Sequence, residues 1–255
     1  MTPWARRASR ARSLADRHPP AAELLFFCAR LAEYQDRLAA RAAATRLDHA
    51  ASVQAALPAF LEWLEREAPA GLRTTVPALR DIPADEWRRL IDRADGAAGE
   101  EAQAAFVIEV LAQPIASATS DASAVATPDQ DQRTLHRQRC PSCGGLPVVG
   151  LLREEGHGAR RSLVCGTCLA EWDFRRVCCP ACGEASFQTL PVYTAEQFPH
   201  VRVEACDGCR CYLKTMDLTR DGLADVVADD LASIALDLWA AEQGYRRLRP
   251  SLLRT

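Results

Sequence analysis

CPSCGGLPVVGLLREEGHGARRSLVCGTC (residues 140–168) and, shortly after it, CPACGEASFQTLPVYTAEQFPHVRVEACDGC (residues 179–209) are one device written twice. Each opens on a Cys-x-x-Cys pair, makes a long excursion and closes on a second pair. The pairs are Cys140/Cys143, Cys165/Cys168, Cys179/Cys182 and Cys206/Cys209, and the two excursions are nearly equal in length. A Cys-x-x-Cys knuckle aims two sulfurs at one point, and two knuckles surround an ion tetrahedrally. Both opening knuckles carry Pro after the first Cys and Gly after the second, which fixes φ at one position and frees the backbone at the other. The expected ligand sets are Cys140, Cys143, Cys165, Cys168 and Cys179, Cys182, Cys206, Cys209. Spacing also permits an interleaved arrangement, such as the first pair with the third. Sequential pairing is favoured, because each excursion is long enough for two or three short strands that bring its ends together. A chelated ion would stabilise modules too small to fold on their own cores. Four thiolates accept zinc or mononuclear iron, and the donor set alone does not choose.

The excursions and their flanks read as short strands bounded by Gly, Pro or Cys: LPVVGLLR (146–153), RRSLVC (160–165), EWDFRRV (171–177), SFQTLPVY (186–193) and VRVEAC (201–206). Three of the eleven cysteines stand outside the pairs. Cys28 falls near the apolar face of a helix and reads as a small buried hydrophobe. Cys178 and Cys211 adjoin the second set and read as neighbours of the ligands. His157, in a GHG turn, reads as a solvent-facing residue.

Composition places limits around this centre. A chain of 255 residues, 48% hydrophobic and 25% charged, has an ordinary globular balance and enough length for a real core. No run of uncharged apolar residues is long enough to span a bilayer. Arg6-Arg7 lacks a following apolar segment, so no export signal is expected. Eleven cysteines in a reducing compartment point to metal or redox chemistry rather than to structural disulfides. The net charge is −3, and residues 140–215 hold eight Lys/Arg against eight Asp/Glu. A nucleic-acid surface needs a basic excess, which argues against that class. The basic start (Arg6, Arg7, Arg10, Arg12, Arg17) reads as a frayed, solvated terminus. There is no P-loop, no Gly-rich dinucleotide turn and no Ser-His-Asp order, and a closed four-thiolate site offers no open metal position. The reading is therefore not an enzyme.

Residues 12–112 read as helical. Phe27, Leu31, Tyr34 and Leu38 share one face of a helix starting near Pro19 and Pro20. A second covers Ala50–Glu67, with Val53, Leu57, Phe60, Leu61 and Leu64 apolar and Pro58 predicting a kink or a split. Pro83–Ala94 carries Trp87, Leu90 and Ile91 and ends near Gly96, and residues 100–112 make a fourth. Residues 114–134 (PIASATSDASAVATPDQDQRT) are small, polar and aperiodic and read as a linker. A final helix spans about Leu223–Gln243, with Val227, Leu231, Ile234 and Leu238 as its buried stripe and Gly244 as its stop. The expected fold is α+β and multidomain: an N-terminal α-helical bundle (1–113), a linker (114–134), two tandem small β modules of rubredoxin-like or zinc-ribbon-like type, each with four cysteines (135–176 and 177–216), and a C-terminal α-helix and tail (217–255).

RQRCPSCGGLPVV (137–149), LVCGTCLAEWDFRRVCCPACG (163–183), EACDGCRCYLKTMD (204–217) and VADDLASIALDLWAAEQGY (227–245) together resemble the formate dehydrogenase accessory protein family, FdhE. ADRHPPAAELLFFCARLAEYQ (15–35) is similar to the family's N-terminal helical motif. Four pairs alone would fit many zinc ribbons; YLK after the last pair and VADDLAS opening the final helix are far more specific. The resemblance implies a cytoplasmic, non-enzymatic maturation factor that binds the catalytic subunit of respiratory formate dehydrogenase and carries two rubredoxin-like sites, with iron favoured over zinc. The family's pairs fall on the eight cysteines named above. The short stretch 114–134 stands where the family has further helical sequence. Two other readings are an electron-transfer protein with rubredoxin-like centres and a zinc-ribbon nucleic-acid binder.

Overall fold

The computed structural model describes residues 1–44, 48–92, 101–119, 137–156 and 158–253. The chain divides into two compact units, the first with described residues ending at Thr119 and the second with described residues beginning at Arg137. His157, the bulk of the expected linker and the expected helix end near Gly96 lie outside the described residues.

The first unit is helical: α1 (Pro3–Arg17), α2 (Ala22–Ala42), α3 (His49–Glu67), short turns α4 (Ala70–Arg73) and α5 (Val76–Arg80), α6 (Ala84–Asp92) and α7 (Ala102–Thr119). The basic start is not a frayed terminus. It is α1, capped by the Thr2 hydroxyl, which accepts from the Ala5 amide at 3.1 Å. Trp4, Arg7, Ala8, Ala11, Leu14 and Ala15 form its buried face, and Arg7 lies over the Trp4 ring. Three small alanines among these residues let α1 pack close to α2. In α2 the buried stripe includes Phe27, Cys28, Leu31 and Gln35. Pro58 leaves α3 as one helix, because it sits on the exposed side where water can reach the carbonyl it strands.

Helix α7 runs on through Pro114 to Thr119, beyond the expected end at residue 112. Residues 104–115 are all buried, so there is no polar face from which a period could be read. Pro114 has no N–H for the carbonyl of Val110, and that carbonyl accepts instead from Gln35 Nε2 at 2.9 Å. A buried glutamine on α2 thus supplies the hydrogen bond that proline removes from α7.

The second unit is built on one seven-stranded sheet in the order β3-β2-β1-β6-β5-β4, with β7 added to β6. The strands are β1 (Pro147–Glu155), β2 (Gly158–Cys165), β3 (Glu171–Asp173), β4 (Val192–Thr194), β5 (Val201–Ala205), β6 (Cys211–Asp217) and β7 (Arg246–Arg247). Each half is an antiparallel three-stranded ribbon, β1-β2-β3 or β4-β5-β6. Parallel pairing of Val149–Leu152 with Lys214–Asp217 joins the ribbons. The α+β class with two ribbon modules stands, and the modules share a sheet. Strand β6 is not among the expected strands. It is buried along its whole length, so it lacks alternation, and it contains the only lysine of the chain.

The final helix is two helices, α8 (Ala228–Ala232) and α9 (Ile234–Glu242), broken at Ser233. The break turns the stripe. Leu236, Asp237 and Ala240 are buried in α9, and Leu238, expected inside, is 63% exposed. The cause is Lys214, whose fully buried ammonium donates to the Asp230 carbonyl (2.7 Å), the Ser233 hydroxyl (3.2 Å) and Asp237 Oδ2 (2.5 Å). Arg247 pairs with the same two aspartates at 2.7 and 2.9 Å, and the Tyr212 hydroxyl donates to Asp237. Burial alone would raise the carboxyl of Asp230, but Arg247 and Lys214 outweigh it and hold Asp230 below the ordinary 3.8. YLK and VADDLAS are therefore two halves of one buried charge network.

Candidate metal centres

The knuckles lie at the ends of the ribbon strands, and the fold repeats their turn hydrogen bonds. In the opening knuckles the amide of Cys140 donates to the Gly145 carbonyl (2.9 Å), and that of Cys179 to the Glu184 carbonyl (2.7 Å). Gly144 and Gly183 return to Cys140 and Cys179, both at 2.9 Å, with φ of +75° and +80°. L side chains avoid that region, which accounts for the glycine after each pair. In the closing knuckles Leu169 donates to Cys165 and Arg210 to Cys206, at 3.1 and 2.8 Å, again in the left-handed region at φ +60° and +57°. Amides also reach the sulfurs: Ser142 to Cys140 Sγ (3.4 Å), Ala181 to Cys179 Sγ (3.4 Å) and Thr167 to Cys165 Sγ (3.3 Å). Such bonds favour thiolate over thiol.

The sulfurs of Cys140, Cys143, Cys165 and Cys168 lie within 4.8 Å of one another, as do those of Cys179, Cys182, Cys206 and Cys209. The gathering is sequential and not interleaved. Nearest contacts are 3.4–3.6 Å in the first cluster and 3.7 Å in the second. A tetrahedron with metal–sulfur bonds of about 2.3 Å places its sulfurs roughly 3.8 Å apart, whereas a disulfide needs about 2.05 Å. None of the eleven cysteines is in a disulfide. The exposure pattern is also doubled, with Cys143 and Cys182 exposed and the first cysteine of every pair buried.

Without a cation, thiols this close oppose one another's ionisation. Hydrogen bonding with Cys140 pushes Cys143 and Cys168 above a free thiol, while the bond from Cys143 pushes Cys140 down. Burial pushes Cys179 up. A bound cation removes that conflict by stabilising every thiolate at once. Cys178 and Cys211 are buried outside the four-sulfur groups, and burial raises both thiols. Cys28 is buried in the helical unit.

The surroundings of the two clusters differ, and Arg249, far from its knuckle along the chain, carried no signal in the sequence. Against the closing knuckle of the first lies Arg249, one of the largest fully buried side chains. Its Nη1 donates to Thr167 Oγ1 at 3.0 Å, and its Nε is 2.5 Å from where a Cβ on Gly166 would be. Only glycine leaves room for that guanidinium. In the second cluster the matching knuckle carries Asp207, which accepts from Tyr245 (2.6 Å) and pairs with Arg210 (3.2 Å). Arg210 in turn lies 3.9 Å over the Tyr245 ring.

This arrangement defines a class: an α+β protein with a helical unit and a double ribbon in which two four-cysteine clusters flank one sheet. Its matches are narrower than the class. Residues 139–176 match the family model "FdhE, central domain" and residues 175–253 match "FdhE, C-terminal domain". A "Protein FdhE homolog" of Edwardsiella ictaluri is 30% identical over 268 residues, which cover 96% of this chain and 85% of that one. The chain belongs to the FdhE family. Homologues of Aquifex aeolicus and Pseudomonas aeruginosa are 35% and 38% identical over 116 and 133 residues. These alignments take in 45% and 50% of this chain, and they span only 41% and 42% of the relatives' lengths. The crystal structure of the FdhE protein from Pseudomonas aeruginosa has a TM-score of 0.73 at 25% identity, covering 99% of this chain and 95% of that one. Among the described residues, no helix is long and apolar enough to cross a membrane.

Proposed function

We propose that this protein is a cytoplasmic, non-enzymatic accessory factor for the maturation of formate dehydrogenase. It binds the catalytic subunit and holds one metal ion in each cluster, with Cys140, Cys143, Cys165 and Cys168 as one ligand set and Cys179, Cys182, Cys206 and Cys209 as the other. Family membership across nearly the whole chain carries the reading of function. The sulfur geometry supports the ligand sets.

Iron is the favoured metal, on the strength of the family resemblance; zinc satisfies the same donors. When bound, either metal ties the ribbon ends together, and iron adds a one-electron change of charge. The chain supplies the rest. The amides of Ser142, Thr167 and Ala181, donating to the sulfurs of Cys140, Cys165 and Cys179, stabilise thiolate charge, and the shared sheet fixes the two clusters relative to each other. Exposure of Cys143 and Cys182 favours electron exchange at the surface as a second reading of the same sites.

The test combines two measurements. Metal analysis and an absorption spectrum of freshly purified protein should give two ions per chain, with thiolate-to-iron bands if iron is resident. Deleting the gene in a host that makes formate dehydrogenase should abolish that activity. Undiminished activity would end the accessory reading, and a metal-free protein with intact activity would end the metal assignment.

A further inference from the structure

A groove of about 260 Å³ opens beside the second cluster. It lies on the sheet face to which Arg202 and Glu204 point; their alternates Val201 and Val203 face the other way, into the core shared with Leu236 and Ala240 of α9. One wall is the segment Val177–Ala181, which includes the opening knuckle of the second cluster, and the other runs from Phe187 to Val192. Leu213 and the Arg161–Glu204 ion pair, at 2.6 Å, line it between these walls.

Three features say what the groove takes. Its walls include Val177, Phe187 and Val192, which are 44%, 76% and 52% exposed and are three of the seven exposed large apolar side chains among the described residues. Exposed apolar groups gathered at one groove mark a contact surface. Its charge is unbalanced in one sense. Arg161 is matched by Glu204 and Arg202 by Asp217, while Arg176 is exposed and has no hydrogen-bond or ion-pair partner among the described residues. Its size is below the roughly 300–1,000 Å³ of cofactor and drug-sized sites, which leaves room for one or two side chains. Strand β4, which carries Val192, is the edge of the sheet, so an extended chain can lie alongside it.

We propose that this groove docks an extended segment of the client polypeptide, one that places a bulky apolar side chain between Phe187 and Val177 and a carboxylate on Arg176. The inference rests on the reading of this protein as a client-binding accessory factor. It adds where the client sits and what chemistry it presents. A metal in the second cluster would then hold one wall of the docking site, and the first cluster would lie outside it.

The test is capture of the formate dehydrogenase catalytic subunit by the immobilised full chain, together with binding of overlapping peptides spanning that subunit. The variants are Phe187→Ser, Arg176→Glu and, as an exposed apolar control outside the groove, Leu238→Ser; metal content is measured for each. Phe187→Ser and Arg176→Glu should each weaken capture by about tenfold or more, as central contacts do, with metal content unchanged. Leu238→Ser should bind like the parent. The peptides retained should carry an acidic residue next to an aromatic or large aliphatic one, and changing that acid to its amide should remove the effect of Arg176→Glu. Equal capture by parent and groove variants overturns the docking site and leaves the accessory role standing. Equal weakening by Leu238→Ser overturns it as well. Failure of the parent to capture the subunit overturns both.

Discussion

The two clusters share the same turn hydrogen bonds and are set in different surroundings. Each has the same turn hydrogen bonds, the same left-handed positions and the same order of buried and exposed sulfurs. Around the first, a buried guanidinium from the end of the chain lies on the closing knuckle. Around the second, that knuckle presents a carboxylate, tied to Arg210 and Tyr245, and the opening knuckle lines an open groove. Knuckle geometry is set within a few residues of sequence, so duplication preserves it. The charges around it can diverge: Arg249 reaches the first cluster from the far end of the chain, whereas Asp207 and Arg210 sit in or beside the knuckle of the second. A four-thiolate centre with a divalent ion carries about two negative charges, and a nearby cation favours its retention.

The largest effect should come from breaking the clusters one at a time. Cys165→Ser and Cys206→Ser should each remove one of two metal equivalents, with a loss in the second unit on the order of several kcal/mol, since a structural metal contributes on the order of 10 kcal/mol to the fold it holds. Metal analysis and thermal unfolding check this; if either change empties both sites, the clusters are not independent. Next is Lys214→Met, which leaves Asp230 and Asp237 buried with one cation fewer. Breaking such a network costs about 3–5 kcal/mol, measurable by denaturant unfolding, and should loosen both ribbons because β6 belongs to the joint between them.

The sharpest test of the comparison is Arg249→Leu against Arg210→Leu. Arg249→Leu should speed metal loss from the first cluster to a chelator by about tenfold, which is about 1.4 kcal/mol, and leave the second unchanged. The change at Arg210, an exposed ion pair, should move release from the second by only about twofold. Single-site variants carrying one metal separate the two rates. Smallest are Gly144→Ala and Gly183→Ala. Each forces alanine to positive φ, at a cost of about 1 kcal/mol, and the two should match, because the local geometry matches. Unequal costs would show that surroundings reach even into the turns.

Acid gives a further separation. The folded carboxyl of Asp230 lies below its ordinary 3.8. Its contribution to stability is therefore complete above that value and is lost as pH falls through the lower folded one. Thiolate ligands compete with protons at higher pH. Metal release, followed by absorption, should therefore precede loss of the charge network, followed by far-ultraviolet circular dichroism, as pH is lowered.

Much of the site was legible because its cause is local. Pro and Gly in the opening knuckles, the doubled spacing and the β-rich excursions all act over a few residues. What was not legible depended on partners far along the chain. Lys214 reads as an ordinary polar residue until Asp230, Asp237 and Arg247 converge on it, and the same convergence breaks α8 from α9 and turns Leu238 outward. Pro114 reads as the end of a helix until Gln35 replaces the hydrogen bond it removes. Helix α1 buries three alanines and an arginine beside Trp4 and Leu14, so its apolar face is too sparse in large side chains to stand out from the basic residues around it.

The amino-acid sequence by itself determined two four-sulfur groups, the α+β class and the family likeness, because knuckles and strands are short-range objects whose residue types follow from backbone conformation. Tertiary structure alone decided that the two ribbons form one sheet, that a buried guanidinium from the end of the chain stands by the first cluster, and that the second cluster borders a groove. Arg249 and Lys214 are brought beside groups distant in sequence, Tyr245 is brought onto Asp207 inside its knuckle, and Val192 and Arg202 are brought to the same groove as Arg176, because charge and packing act through space.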